Sequence, residues 1–286
     1  MFEQDLKELT ELEEQRGLVR AKDFSFYADK SLIRFDAFPV PHFFSTKKAG
    51  NMSYSYGDEE KVEQNKSLIY SRLELEEKED VVHVVPEHED KVRWVDYSNA
   101  EEGIKADGVI TDKQGLALEM APADCYVLIV TDLELQRLAL IHVGRKNINT
   151  DIIRETLNKF KTEKEDIRIA LNPGIKHCCL KFGFARALYE SLFRRGNYMT
   201  PGRFFSQLPA KIKFGFEKFE LELELETLRK LIQIGIDPSN IYRTGFCTAC
   251  KTIPGETDYL SFSHRRSEKL DQEEARNLVT AINGVR

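Results

Sequence analysis

At 286 residues and 41% hydrophobic composition, the chain can bury a sizeable core as one main domain with decorations. Its formal net charge of −6 excludes a general affinity for nucleic acid, whose backbone rewards a basic stripe that this sequence lacks. Five cysteines, two of them adjacent at Cys178 and Cys179, make a poor disulfide framework in so long a chain, and reduced thiols are expected.

Residues 2–20 carry charge at nearly every position, with Leu6, Leu9, Leu12 and Leu18 spaced mostly by three, which suits a surface helix. This stretch has no signal-like apolar core, and no segment approaches the ~18 apolar residues of a membrane span. The expectation is a soluble, cytoplasmic protein without a membrane partner, in which residues 1–34 form a helical extension and 35–286 the main domain. Phe35–Ser45 reads as an entry strand broken by Pro39 and Pro41, and Thr46–Gly57 as a loop. Asp58–Leu75 has helical spacing through Val62, Leu68, Ile69 and Leu73. Val81–Val85 is a buried-type strand, and Pro86-Glu87-His88 leads to a second strand at Lys91–Val95, placing His88 at a strand end. Strand signals at Gly115–Met120, Tyr126–Thr131 and Arg137–Ile141 follow, then a helix at Asn149–Phe160 and a strand at Ile167–Leu171. A helix at Phe184–Arg194, a long helix after Phe219 broken near Gly235, and a last strand or loop at Ser261–Arg266 complete the reading. The alternation predicts an α/β (α+β) fold, a single mixed-sheet domain with β-hairpins and flanking helices. Gly103, Gly108 and Gly115 are too scattered for a Gly-rich phosphate fingerprint.

The polar stretch Asp132–Gln136 reads as the turn of a hairpin between Tyr126–Thr131 and Arg137–Ile141. Closing it with Thr131 opposite Gln136 sets Cys125 opposite His142. Opposed side chains sit about 4.5–5.5 Å apart at Cβ, near enough to share a metal, whereas a one-residue slip would turn one of them away. His88 is the third candidate ligand. Three protein ligands with one open position suit a catalytic zinc, which would deprotonate Cys125 and bring bound water toward a pKa of about 7. Each residue alone has a plainer reading, Cys125 as a small buried apolar residue and the histidines as ordinary polar ones. A Cys125–His142 contact would also serve a thiol hydrolase, with the thiol as nucleophile and the imidazole as base, acting on an amide such as a peptidoglycan precursor. Cys247-x-x-Cys250 invites a redox or second-zinc reading, but a single CxxC without a partner pair favours a buried or site-lining role for Cys247.

Several segments, in order, carry a resemblance. They are Phe44-Ser45-Thr46 with Gly50, Gly57-Asp58 with Asn65, Glu87-His88 with Val92, Asp107-Gly108 through Ala123-Asp124-Cys125, Ile141-His142-Val143-Gly144, Pro173-Gly174-Ile175 with Cys178-Cys179, and Cys247-Thr248 with Phe262-Ser263-His264-Arg265-Arg266. Together they resemble the YfiH-like family, long named multicopper polyphenol oxidoreductases or laccase-domain proteins, over roughly residues 35–280. The resemblance implies a zinc-containing purine nucleoside phosphorylase that acts on adenosine, inosine or methylthioadenosine and also deaminates adenosine, with copper as a second candidate metal. It implies that 35–286 is the catalytic domain and that the metal set falls on His88, Cys125 and His142. Its implied partners are a purine nucleoside and inorganic phosphate; monomer and homodimer both remain open.

Departures from the family pattern bear on substrate contacts. Arg145-Lys146-Asn147 replaces Trp-Arg-Gly after the second metal histidine, Pro86 and Glu89 replace the residues flanking the first, and Lys47 stands where the family has Arg. Lysine keeps the charge for phosphate and loses the bidentate fork. Lys47, Lys146, Arg265 and Arg266 are the candidates for a phosphate cradle, against the plainer reading as solvated cations. Asp124 is a candidate general base, or an orienting partner for a metal histidine, with the latter favoured. A copper polyphenol oxidase needs more imidazoles than the six histidines present, and a catalytically degenerate nucleoside-binding protein is the non-enzymatic alternative.

Overall fold

Tyr126–Asp132 (β9) and Leu138–Val143 (β10) are apolar at nearly every position because both faces of their hairpin are buried. Val127, Ile129, Leu138 and Leu140 pack against one cluster, while Tyr126, Leu128, Val130, Ala139, Ile141 and Val143 pack against another. The computed structural model describes residues 21–75, 80–100, 103–134, 136–148, 150–176, 178–183, 218–220 and 223–284. The helices expected at 2–20 and 184–194 lie outside the described residues.

Phe24–Phe26 (β1), Leu32–Phe35 (β2) and His42–Ser45 (β3) form a meander whose last turn holds Pro39 and Pro41, so the single broken strand expected there is two paired strands. β1 and the first three residues of β2 are sheet members lying within the stretch 1–34. Glu59–Arg72 (α1) is capped by Asp58, and Val81–Val85 (β4) and Val92–Trp94 (β5) flank the turn that carries His88. Ile104–Lys105 (β6), Gly108–Thr111 (β7) and Ala117–Met120 (β8) precede the central hairpin. Ile152–Phe160 (α2), Ile167–Leu171 (β11), Lys181–Gly183 (β12), Lys218–Glu220 (β13) and Leu223–Ile234 (α3) follow, with α3 ending at Gly235, φ +103°. Ile241–Arg243 (β14), His264–Leu270 (α4) and Val279–Ile282 (β15) complete the order.

The mixed pairing expected from sequence is present, divided between two sheets. Seven strands run β1-β2-β3-β15-β8-β4-β6 and six run β14-β11-β9-β10-β7-β5, with β12 and β13 as a separate pair. Val82, Val84, Leu118 and Met120 of the first sheet meet Val127, Ile129, Leu138 and Leu140 of the second in one core. α2 and α3 cover the outer face of the second sheet, and Ile69 of α1 covers that of the first. The segment Ser261–Arg266, expected as the last strand or a loop, instead starts α4, because the Ser263 hydroxyl accepts from the Arg266 N–H. The last strand is β15, inserted between β3 and β8.

The hairpin register also differs from expectation. Thr131 faces Leu138 and His142 faces Val127, a shift of two residues. Asp132 accepts from Glu134 N and Gln136 takes φ +52°, and the turn occupies 133–137, one residue beyond the stretch 132–136 allotted to it. A two-residue shift preserves the face. Cys125 and His142 therefore still share a side, the one facing the other sheet, at the end of the hairpin remote from its turn.

Candidate metal centre

His88, Cys125 and His142 converge, with one ligand atom from each within 4.8 Å of the others. The His88 and His142 rings lie 4.7 Å apart at an interplanar angle of 58°. Continuing the β9–β10 ladder one pair beyond Val143 and Tyr126 sets Gly144 across from Cys125. A Cβ on Gly144 would stand 2.9 Å from Cys125 Sγ and 3.2 Å from both His142 Cε1 and His88 Nδ1, so the missing side chain is the room in which the three ligands meet. Burial, then the charges of His142, Lys146 and Arg145, lower the pKa of His88 to about 4, which keeps its imidazole neutral with a lone pair to donate. His88 Nδ1 is buried with no hydrogen-bond partner, as expected of an atom meant for a metal. Burial works to lower His142, but the neighbouring Cys125 and the Asp107 hydrogen bond overcome it and raise the imidazole to about 9. Two imidazoles and a thiol with this convergence fit zinc, and their softness accommodates copper as well.

Asp107 holds the centre together. One oxygen accepts from His142 Nδ1 at 2.9 Å and from His88 N at 2.9 Å, and the other accepts from Glu89 N at 2.7 Å. Burial raises its pKa, yet the hydrogen bonds from His142 and the Glu89 and His88 amides outweigh this and hold the carboxyl below its ordinary value. With its proton on Nδ1, His142 presents Nε2 to the thiol. The same carboxylate anchors His88 in a left-handed conformation, φ +62°, that a non-glycine residue adopts only when its surroundings impose it. Asn147 ties the following turn down: its oxygen accepts from Gly144 N at 2.7 Å and its amide donates to His142 O at 2.9 Å and Glu89 O at 3.2 Å. Asn147, read from sequence only as a departure, is thus a brace. Asp107 was visible from sequence only as part of a motif, since nothing local shows which backbone amides a buried carboxylate will collect. Replacing Asp107 with Asn is expected to weaken metal binding 10–100-fold by competition against a chelator; unchanged affinity would remove its role as anchor.

The other sequence candidates divide. Asp124 is 8% exposed at φ +85°, but it accepts from Thr248 Oγ1 at 2.6 Å and Arg265 N at 2.7 Å and not from a histidine. The orienting role expected of it belongs to Asp107. Lys146 is exposed and, with Arg145, near enough to lower the pKa of His88. Lys47 pairs with Asp258 at 3.0 Å, and Arg265 pairs with Glu268 at 2.7 Å. Arg266, expected in a phosphate cradle, is 8% exposed, donates to the carbonyls of Thr248, Ala249 and Ser261, and lies 4.0 Å over the Tyr259 ring. A guanidinium so committed braces the chain turn around it. Of the five described histidines, His42 is bonded to Val40 and Phe35, His83 to Glu119, and His264 to Glu274. That leaves two imidazoles for the metal, too few for a multicopper cluster. No described helix is long and apolar enough to cross a membrane.

Comparison with known proteins places the chain among relatives of one fold. A purine nucleoside phosphorylase of Clostridium acetobutylicum is 30% identical over 108 residues, a match spanning 36% of this chain and 45% of that protein. One of Bacteroides thetaiotaomicron is 26% identical over 198 residues, 60% of this chain and 72% of its own length. The chain thus covers under half of the first of these relatives. Among solved structures, YfiH of Bacillus licheniformis superposes with a TM-score of 0.72 at 22% identity, covering 91% of this chain and 98% of that one. YlmD of Geobacillus stearothermophilus gives 0.72 at 21% identity, covering 92% and 99%; both share the fold of two mixed sheets. Residues 42–275, which span β3, the His88 turn, the Cys125–His142 hairpin and α4, match one family throughout, and the chain belongs to that family, the multi-copper polyphenol oxidoreductase laccases.

Proposed function

We propose that this chain is a zinc-dependent purine nucleoside phosphorylase, cleaving adenosine, inosine or methylthioadenosine with inorganic phosphate, and that the same centre deaminates adenosine. The observation that carries the reading is the convergence of His88, Cys125 and His142 within 4.8 Å around the space kept open by Gly144, joined to the relatives named as phosphorylases. When bound by these residues, zinc supplies a Lewis acid and the means to activate water near neutral pH. The chain's own groups do the rest. Asp107 keeps the His142 proton on Nδ1 and so fixes where Nε2 points. Lys146 and Arg145, on the His88 side, offer the positive charge that phosphate and a charge-separated transition state require. The carboxylate of Asp124 stays with Thr248 and Arg265 and keeps Cys125 at its post.

Lys146 stands where the family has Arg and contributes a point charge in place of a fork. Lys146→Arg is therefore expected to raise kcat/KM for phosphorolysis about tenfold, the gain of one charge-assisted contact worth about 1.4 kcal/mol, and to leave deamination unchanged. The test follows adenine and inosine release from adenosine across a phosphate titration. Identical phosphate dependence in the two proteins sinks the assignment of Lys146, and absence of adenine release at any phosphate concentration sinks the phosphorylase.

A second reading has its own observation. Cys125 hydrogen-bonds His142, which is backed by Asp107, the order of groups in a thiol hydrolase. Alkylation separates the two: a zinc ligand resists it until a chelator is added, because coordination occupies the sulfur. A covalent substrate adduct on Cys125 during turnover would favour the hydrolase.

A further inference from the structure

We propose that Cys178, Cys179, Cys247 and Cys250 form a second metal centre, a closed tetrathiolate zinc site that staples the chain after β11 to the chain after β14. Their four sulfurs all lie within 4.8 Å of one another, and Cys178 Sγ and Cys250 Sγ are 3.6 Å apart. Tetrahedral zinc with Zn–S bonds of ≈ 2.3 Å places its sulfurs about 3.8 Å apart, so the four need only a small contraction. None of these residues belongs to the His88 centre.

The fold explains the meeting. β11 and β14 are parallel neighbours, Ile169 facing Ile241 and Leu171 facing Arg243, so the segments leaving their C-terminal ends depart side by side. The pairing extends to a bridge between Gly174 and Cys247, sealed by Thr248 N donating to Gly174 O at 3.1 Å. Each segment then turns tightly. Lys251 N donates to Cys247 O at 3.0 Å across the CxxC, and the amides of Cys179 and Leu180 both donate to Lys176 O at 2.9 Å, closing a turn around the adjacent pair. The amides of Lys176 and Ala249 point at the Cys247 sulfur, the backbone donation that steadies a thiolate ligand. Arg266, buried and bonded to Thr248 O and Ala249 O inside the CxxC turn, brings positive charge to what would be a doubly negative site. Four thiolates with no histidine or open position describe a structural zinc.

The staple has a consequence for the first centre. Thr248, held between Cys247 and Cys250, donates to Asp124, the residue before Cys125. The staple therefore braces the segment that leads into the ligand Cys125.

The test uses the full chain carrying His142→Ala, which disables the first centre, so its outcome is independent of the phosphorylase reading. This protein should retain about one zinc per chain, with an absorption fine structure of four sulfurs at ≈ 2.3 Å. Adding Cys178→Ser or Cys250→Ser, both at exposed positions, should weaken that zinc by more than about 100-fold with an unchanged circular dichroism spectrum. Should those variants unfold, the fine structure of the His142→Ala chain alone decides. Absence of zinc with four titratable thiols, nitrogen ligands in the fine structure, or an intact mass reduced by the hydrogens of a disulfide would each overturn the proposal.

Discussion

Cys125→Ala and His142→Ala are each expected to release one metal equivalent per chain and to reduce phosphorolysis by at least two to three orders of magnitude. Loss of a partner behind a ligand costs 10–100-fold in affinity, and loss of the ligand itself must cost more. Removing one preorganised electrostatic group from an active site already lowers kcat by about 10²–10³. His142 is 2% exposed and its partner Asp107 is fully buried, so alanine there also strands a carboxylate in the core. Cys125→Ala is the cleaner variant, since it leaves the His142–Asp107 hydrogen bond intact. Elemental analysis and nucleoside turnover read the result. In the parent protein the ligands must deprotonate to bind metal, and with His142 at about 9 metal affinity should fall as pH falls through that value. Full metal retention in both variants would dissolve the site.

Gly144→Ala should abolish metal binding at the His88, Cys125 and His142 centre while leaving the fold standing. The backbone at Gly144 lies outside the left-handed region, so alanine is conformationally acceptable; the added methyl meets Cys125 Sγ at 2.9 Å and both histidine rings at 3.2 Å. All three contacts are with ligands, and no movement of one side chain relieves them together. Overpacking of this kind costs about 1–3 kcal/mol of stability, a Tm decrease within about 10 °C for a chain of this size. Metal affinity, which depends on sub-ångström ligand placement, should fall by more than about 100-fold. Thermal melting and chelator competition on one preparation separate the effects. A folded variant that binds metal as tightly as the parent would mean that the ligands meet elsewhere than over Gly144.

How much of this was legible in the sequence follows from what is local. The apolar runs at 126–132 and 138–143 specify strands buried on both faces, and side-chain parity along them placed Cys125 and His142 on a common side even though the expected register was two residues out. Parity survives a turn of misjudged length when the error is even. Motif resemblance singled out His88, Cys125 and His142, and the structure brings those three together.

Tertiary structure alone decided the rest. The division into two facing sheets depends on pairings such as β15 between β3 and β8, which join segments over a hundred residues apart, and a four-residue apolar run does not announce its neighbours. Asp107 became the anchor of the centre because the His88 turn and the β10 strand both deliver donors to one buried carboxylate, a convergence with no trace in spacing. Cys250 looked like half of an isolated CxxC, yet the parallel exit of β11 and β14 carries it across 72 positions of sequence to within 3.6 Å of Cys178. Period and residue type act over a few positions and are set by local sterics; ligand sets are completed by chain closure over long loops, where the energy that chooses one pairing is spread through the packed core.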